Sequence, residues 1–142
     1  MIALDSSVLV AGLCAWHTHH RESAAVLAQS PPGGFLVASH SLLETFAVLT
    51  RLPPGQRLSP RSVVTLLEAL QPRLTVVAPT FDPWMLLKQA LSQGTTGGQT
   101  YDLLIATTVA QAGATTLLTW NIRHFRQINL LGFQAQTPGP TL

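Results

Sequence analysis

The sequence is poor in charge, nearly devoid of cysteine and free of long apolar runs. Its one cysteine, Cys14, has no internal partner for a disulfide, which fits a reducing compartment. No stretch reaches the roughly 18 uninterrupted apolar residues of a membrane span, and the first residues lack the basic segment of a signal peptide. A soluble cytoplasmic protein is therefore expected. Asp, Glu, Lys and Arg make up only 10% of the chain and mean hydropathy is +0.31, so apolar surface is left over after folding and suggests a partner or self-association. Seven of the eight basic residues are arginine, the side chain suited to bidentate phosphate contacts, although codon bias produces the same ratio. At 142 residues the chain has the size of one domain that needs no metal or disulfide staple.

What is present is organised around the first ten residues. Met1-Ile2-Ala3-Leu4 has the length and apolarity of a strand covered on both faces, ending in Asp5, which is followed by Ser6 and Ser7. In parallel sheets ligands sit beyond the carboxyl ends of the strands, so an acid there stands at the natural site position. Ser6 to Leu13 is expected to be a short helix, and Trp16-His17-Thr18-His19-His20-Arg21 leads into a second one through Leu27. The histidines lack further cysteine or histidine at zinc-ligand spacing and read as a solvated or capping surface.

Phe35 to Ala38 is a second strand. The helix Ser39 to Leu49 follows it, with Leu42, Leu43, Phe46, Ala47 and Leu49 as its expected apolar face. Glu44 is placed in its first turn. Ser41 and Glu44 have capping-box spacing, yet the helix start also lies at the carboxyl edge of the sheet. Ser59-Pro60 and Asp82-Pro83 each open a helix with a cap and a proline, the first running to about Leu70 with Glu68 on a solvated face. Leu74 to Ala78 is a strand, and Gly94 ends the Asp82 helix. Thr95 to Gln99 lacks the spacing of a phosphate-binding glycine loop.

Thr100 is a candidate cap for an apolar helix closed by Gly113, with Asp102 in its first turn, favourable against the helix dipole. Thr116 to Thr119 is the fourth strand, and Asn121 a natural N-cap for the short helix after it. A weak last strand near Phe133 to Gln136 and the tail Pro138-Gly139-Pro140 complete the chain.

The order of elements is that of an open α/β sandwich with a mainly parallel central sheet, and no linker divides residues 1–142. Three of the six acids lack a purely surface explanation: Asp5, Glu44 and Asp102. Were they to converge, each pair would repel by roughly 4 kcal/mol at about 4 Å and an effective dielectric near 20. A hard divalent cation reverses that sign, and carboxylate oxygens with retained waters suit Mg²⁺ or Mn²⁺. Such an ion activates water for phosphodiester hydrolysis, with Arg123 and His124 placed to hold a nucleic-acid backbone.

The segments I-A-L-D-S-S-V-L-V, S-x-x-E-T-F-A-V-L, G-G-Q-T-Y-D-L-L-I-A-T-T-V-A-Q-A-G-A and L-L-T-W-N-I-R-H-F together resemble a PIN-domain ribonuclease, most of all the VapC-type toxins of toxin-antitoxin pairs. The resemblance spans nearly the whole chain in order. It implies a three-layer α/β/α fold, bound Mg²⁺ or Mn²⁺, endonucleolytic cleavage of structured RNA such as tRNA or rRNA, a homodimer, and inhibition by a small antitoxin protein. Asp5, Glu44 and Asp102 match the family's three core acids and would be its metal ligands. Asn121 falls where many members carry a fourth acid, and Thr119 on the hydroxyl that often precedes it. A neutral amide is the weaker ligand, which leaves a second metal open. Ser6 is a candidate for the outer shell or, equally, a helix cap. Two other readings stand beside this one: a catalytically weak PIN-like module that binds RNA or protein, and a haloacid-dehalogenase-type phosphatase. The latter wants a second acid where Ser7 stands.

Overall fold

The computed structural model describes residues 1–139, so Pro140 of the expected tail lies outside the described residues. In chain order the elements are β1 (Ile2–Leu4), α1 (Ser6–Leu13), α2 (His20–Ala28), β2 (Phe35–Ala38), α3 (Ser39–Thr50), α4 (Pro60–Leu70), β3 (Leu74–Val77), α5 (Pro83–Gln93), α6 (Gln99–Gln111), β4 (Thr116–Leu118), α7 (Ile122–Arg126) and β5 (Gln134–Gln136). The five strands are all parallel, in the order β3-β2-β1-β4-β5. The chain builds outward from β1 through β2 to β3, then returns to the other side of β1 with β4 and β5. Strand order therefore reverses between β1 and β4, and the crevice at their carboxyl ends is where a parallel sheet takes its ligand.

Period-two alternation sorts the sheet's side chains. Ala3, Leu36 and Leu117 face Ile105, Ala106 and Val109 of α6 and Phe125 of α7. Their neighbours Leu4, Val37 and Leu118 face Val8 and Leu9 of α1 and Val26 and Leu27 of α2. Helices thus cover both faces, giving the three layers. Register puts Leu4 beside Leu118, and the Asp5 amide donates to the Leu118 carbonyl at 3.0 Å, which carries the β1–β4 pairing up to the site. A third cluster joins α1, α3 and α4 through Val10, Leu49, Val63 and Cys14, where burial pushes the free thiol up.

The caps at Ser59 and Asp82 form as expected, accepting from the Ser62 amide at 3.1 Å and the Trp84 amide at 3.0 Å. Gly94 ends α5 in the left-handed region at φ 68°. Three local expectations are corrected. The residue before α6 is Gly98 and Thr100 lies inside the helix, because the Gly97-Gly98 turn starts it earlier. The buried stripe of α3 is Ser41, Thr45 and Leu49, while Leu43 and Ala47 are exposed. Small residues on that stripe let α3 lie against α1, and the Thr45 hydroxyl donates back to the Ser41 carbonyl at 2.8 Å. The Ser41–Glu44 capping box does not form: α3 begins at Ser39, Ser41 is inside it with an unpartnered hydroxyl, and Glu44 falls in the second turn.

Candidate active site

Asp5 occupies the N-cap position of α1, but only its carbonyl serves the helix, accepting from Val8 at 3.1 Å. The carboxylate turns toward β4. Its Oδ2 accepts from Ser7 Oγ at 2.7 Å and from Thr119 Oγ1 at 2.8 Å. Each hydroxyl is also an acceptor: the Trp120 amide donates to Ser7 Oγ at 2.9 Å, and the Asn121 amide to Thr119 Oγ1 at 3.0 Å. With both protons aimed at Oδ2, the 3.3 Å approach of the two hydroxyl oxygens is a contact without a donor of its own. Two residues thus tie the β1–α1 turn to the β4–α7 turn through one carboxylate oxygen.

Asp5 is only 2% exposed. Burial pushes its pKa up, the Ser7 and Thr119 hydroxyls pull it back, and the charge of Glu44 raises it again. On the Oδ1 side Ser6 Oγ lies at 3.5 Å, and the Ser6 backbone N–H also favours the charged carboxylate. The single Ser6 proton goes to Glu44 Oε1, so this hydroxyl stands between the two carboxylates rather than capping α1. The other oxygen of Glu44 lies 3.9 Å from His40 Nε2. Asp102, in the first turn of α6, has His124 Nδ1 at 3.5 Å from Oδ2. Its pKa is raised by burial, lowered by His124, and raised again by the charges of Asp5 and Glu44.

These groups surround a cleft of about 790 Å³ lined by Ser6, Ser7, Glu44, Asp102, Asn121 and His124, with Asp5 buried behind the two serines. The sequence candidates therefore meet in one place, with one exception. Arg123 is exposed on α7 and is not among the lining residues, because the short helix turns His124 to the cleft instead. Asn121 precedes α7 as expected, yet its side chain makes no cap bond. The lining also includes Ser7, His17, His19 and Trp120, which sequence reasoning gave no place in the site. For Ser7 the available signal was a second hydroxyl one helical position after Ser6. Nothing local marks Trp120, whose indole is held by a bond to Ser23 from another helix.

Among the described residues no three Asp, Glu, His or Cys side chains lie close enough to share one ion directly. The donor set still fits a hard cation. Mg²⁺ is usually held by one or two carboxylates with waters completing its shell; Asp5 is buried and Asp102 half-buried beside the charge of Glu44, and no thiolate lies among them. Asp5 Oδ1, Glu44 and Asp102 are the oxygens that could hold it.

The fold and cleft define a parallel α/β protein with an acidic pocket at the switch point. Comparison with known proteins agrees: the PIN domain family model matches residues 2–130. The chain is 37% identical to Ribonuclease VapC40 of Mycobacterium tuberculosis over 123 residues, 87% of this chain and 88% of the relative. Among solved structures it is similar to M. tuberculosis VapC20, described as a Sarcin-Ricin loop cleaving toxin, with a TM-score of 0.66 at 19% identity over 92% of this chain and 97% of the other. VapBC2 of Rickettsia felis, bound to a DNA fragment from its promoter, gives a TM-score of 0.66 at 20% identity, covering 96% and 98%. The chain belongs to the PIN-domain family. Within it, its kinship is with the VapC-type ribonucleases.

Proposed function

We propose that this chain is the toxin of a toxin-antitoxin pair, a metal-dependent endoribonuclease that hydrolyses phosphodiester bonds in structured RNA such as tRNA or rRNA. The observation that carries this reading is the gathering of Asp5, Glu44 and Asp102 from three separate elements around one cleft at the sheet's switch point. Asp5, Glu44 and Asp102 are the residues proposed to hold Mg²⁺ or Mn²⁺, one or two directly and the rest through its waters, and the ion when bound would supply an activated water and offset charge on the phosphoryl oxygens. Ser7 and Thr119 donate to Asp5, opposing the effect of burial on its pKa, and fix its direction. Ser6 spaces Asp5 from Glu44, and His124 meets the outer oxygen of Asp102, where it can also meet a phosphate. Asn121 lines the cleft as a neutral amide, so the fourth position adds no charge toward a second ion.

The kinship with VapC ribonucleases, and with a solved VapBC assembly, supports a small antitoxin protein as the partner. A homodimer acting in the cytoplasm, with residues 1–142 forming one domain, completes the reading. The test is cleavage of a total tRNA and rRNA pool by wild type and Asp102→Asn, with Mg²⁺, Mn²⁺ and excess EDTA in parallel. Discrete fragments that need both metal and Asp102 are expected; equal cleavage by the variant refutes the reading. A second reading, a PIN-like module that binds RNA or protein without cutting, is favoured by the neutral Asn121 and by the spacing of the acids. Mn²⁺ titration separates the two, since absence of binding at millimolar concentration favours the module.

A further inference from the structure

Rings run outward from the cleft wall in an arrangement that cleavage chemistry does not use: His17, His19 and Trp120 line the cleft, and Trp16 lies beyond its lining. His19 stacks on Trp120 with ring centroids 3.8 Å apart and planes 8° from parallel. His17 follows at 5.9 Å from His19, tilted by 42°, and Trp16 at 6.1 Å from His17, tilted by 35°, so four rings follow one another with only the inner pair stacked. At the inner end the Trp120 indole donates to the buried Ser23 hydroxyl at 2.8 Å, and its amide donates to Ser7, the residue that holds Asp5. The row therefore ends one hydrogen bond from the acid's own support. At the outer end Trp16 is 52% exposed.

The loop that carries the row is set before anything binds. The His19 amide donates to His17 Nδ1 at 3.0 Å, and His20 Nδ1–H donates to the Ala11 carbonyl at 2.9 Å. An acceptor at Nδ1 requires the neutral imidazole with its proton on Nε2. Burial and the neighbouring His19 and His20 also push the His17 pKa down. Among the described residues lining the cleft there is no lysine or arginine. What this wall offers an RNA is individual aromatic ring faces rather than a phosphate clamp, and every nucleobase has a face that such rings can stack on.

We infer that the row from Trp16 through His17 and His19 to Trp120 is a stacking subsite for unpaired nucleobases of an RNA whose backbone runs into the acidic cleft. The inference rests on the RNA-cleaving reading. A base does not enter between His19 and Trp120, whose rings are already in contact, so the receptive surfaces are Trp16 and His17. The subsite selects a strand with splayed-out bases over a continuous duplex, as single-stranded loops present them.

The test is binding without cleavage. An oligoadenylate six nucleotides long and an abasic oligomer of the same length are titrated in Mg²⁺ against the Asp102→Asn protein, followed by tryptophan fluorescence and by anisotropy of a labelled strand. Oligoadenylate is expected to quench the fluorescence and to bind about tenfold tighter than the abasic strand. Trp16→Ala and His17→Ala each remove most of that difference, while Trp16→Phe, which keeps a flat ring, retains it. Equal affinity for the two oligomers, or alanine variants that bind like the parent, overturns the subsite. Because the readout is affinity, failure of the RNA pool to be cut overturns the nuclease reading alone, and base-independent binding by an active nuclease overturns the subsite alone.

Discussion

Removing the Ser7 hydroxyl tests whether two hydroxyls on one oxygen favour the charged form of Asp5 against the effect of burial. Ser7→Ala deletes the 2.7 Å bond to Oδ2 and strips the Trp120 amide of its acceptor at 2.9 Å. A hydrogen bond to a charged group contributes about 1.5–3 kcal/mol, and a buried amide left unsatisfied costs about 1–3 kcal/mol. Ser7 is only half-buried and Asp5 keeps its bond to Thr119, so the low end of each range applies and the loss sums to about 2.5 kcal/mol. For a chain of this length, about 4 °C per kcal/mol puts the fall in melting midpoint at about 10 °C. Circular dichroism melts in EDTA at neutral pH measure it. Repeating the pair in an Asp5→Asn background isolates the charge: the amide part and a neutral hydrogen bond to the side-chain carbonyl then remain, and the loss should shrink to about 1.5 kcal/mol. A fall under about 2 °C, or one of the same size in the Asp5→Asn background, would show that the hydroxyl is not bound to the carboxylate's charge.

Two further outcomes follow from the same structure. Burial raises the Asp5 pKa above its ordinary 3.8, so the folded state holds this proton more tightly than the unfolded chain, and the group costs stability as pH rises through that interval. Asp5→Asn removes the cost: in EDTA it should melt above wild type at neutral pH, the gap closing toward pH values near 3.8, and a variant that melts lower at every pH contradicts this. Gly34 has φ 75°, and a Cβ there would run into the Arg73 carbonyl of the neighbouring turn, so Gly34→Ala should cost at least about 2 kcal/mol in urea unfolding, whereas Gly33→Ala, with open space around it, should cost less.

Legibility in the sequence followed how local the cause was. The cap-and-proline starts at Ser59 and Asp82 were readable because cap and amide lie within three residues of each other. The short strands were readable as apolar runs bounded by polar residues. The α3 face was not, since Ser41 and Thr45 are buried by what α1 places against them, a fact no periodicity in α3 records. The same limit explains Glu44. Its spacing from Ser41 suits a local cap, but its partner is Ser6, 38 residues away.

The class of the protein is written in local features: strands with apolar runs that demand helices on both faces, and acids standing just past strand ends or near helix starts. Those features depend on neighbours along the chain, and they suffice for the family and for naming three candidate acids. Long-range packing settled which hydroxyl holds which acid, that His124 rather than Arg123 meets the cleft, and that His19 from the α1–α2 loop stacks on Trp120. The reason is the reversal of strand order between β1 and β4, which brings residues more than a hundred positions apart within hydrogen-bond reach, as in the Thr119–Asp5 bond with its separation of 114.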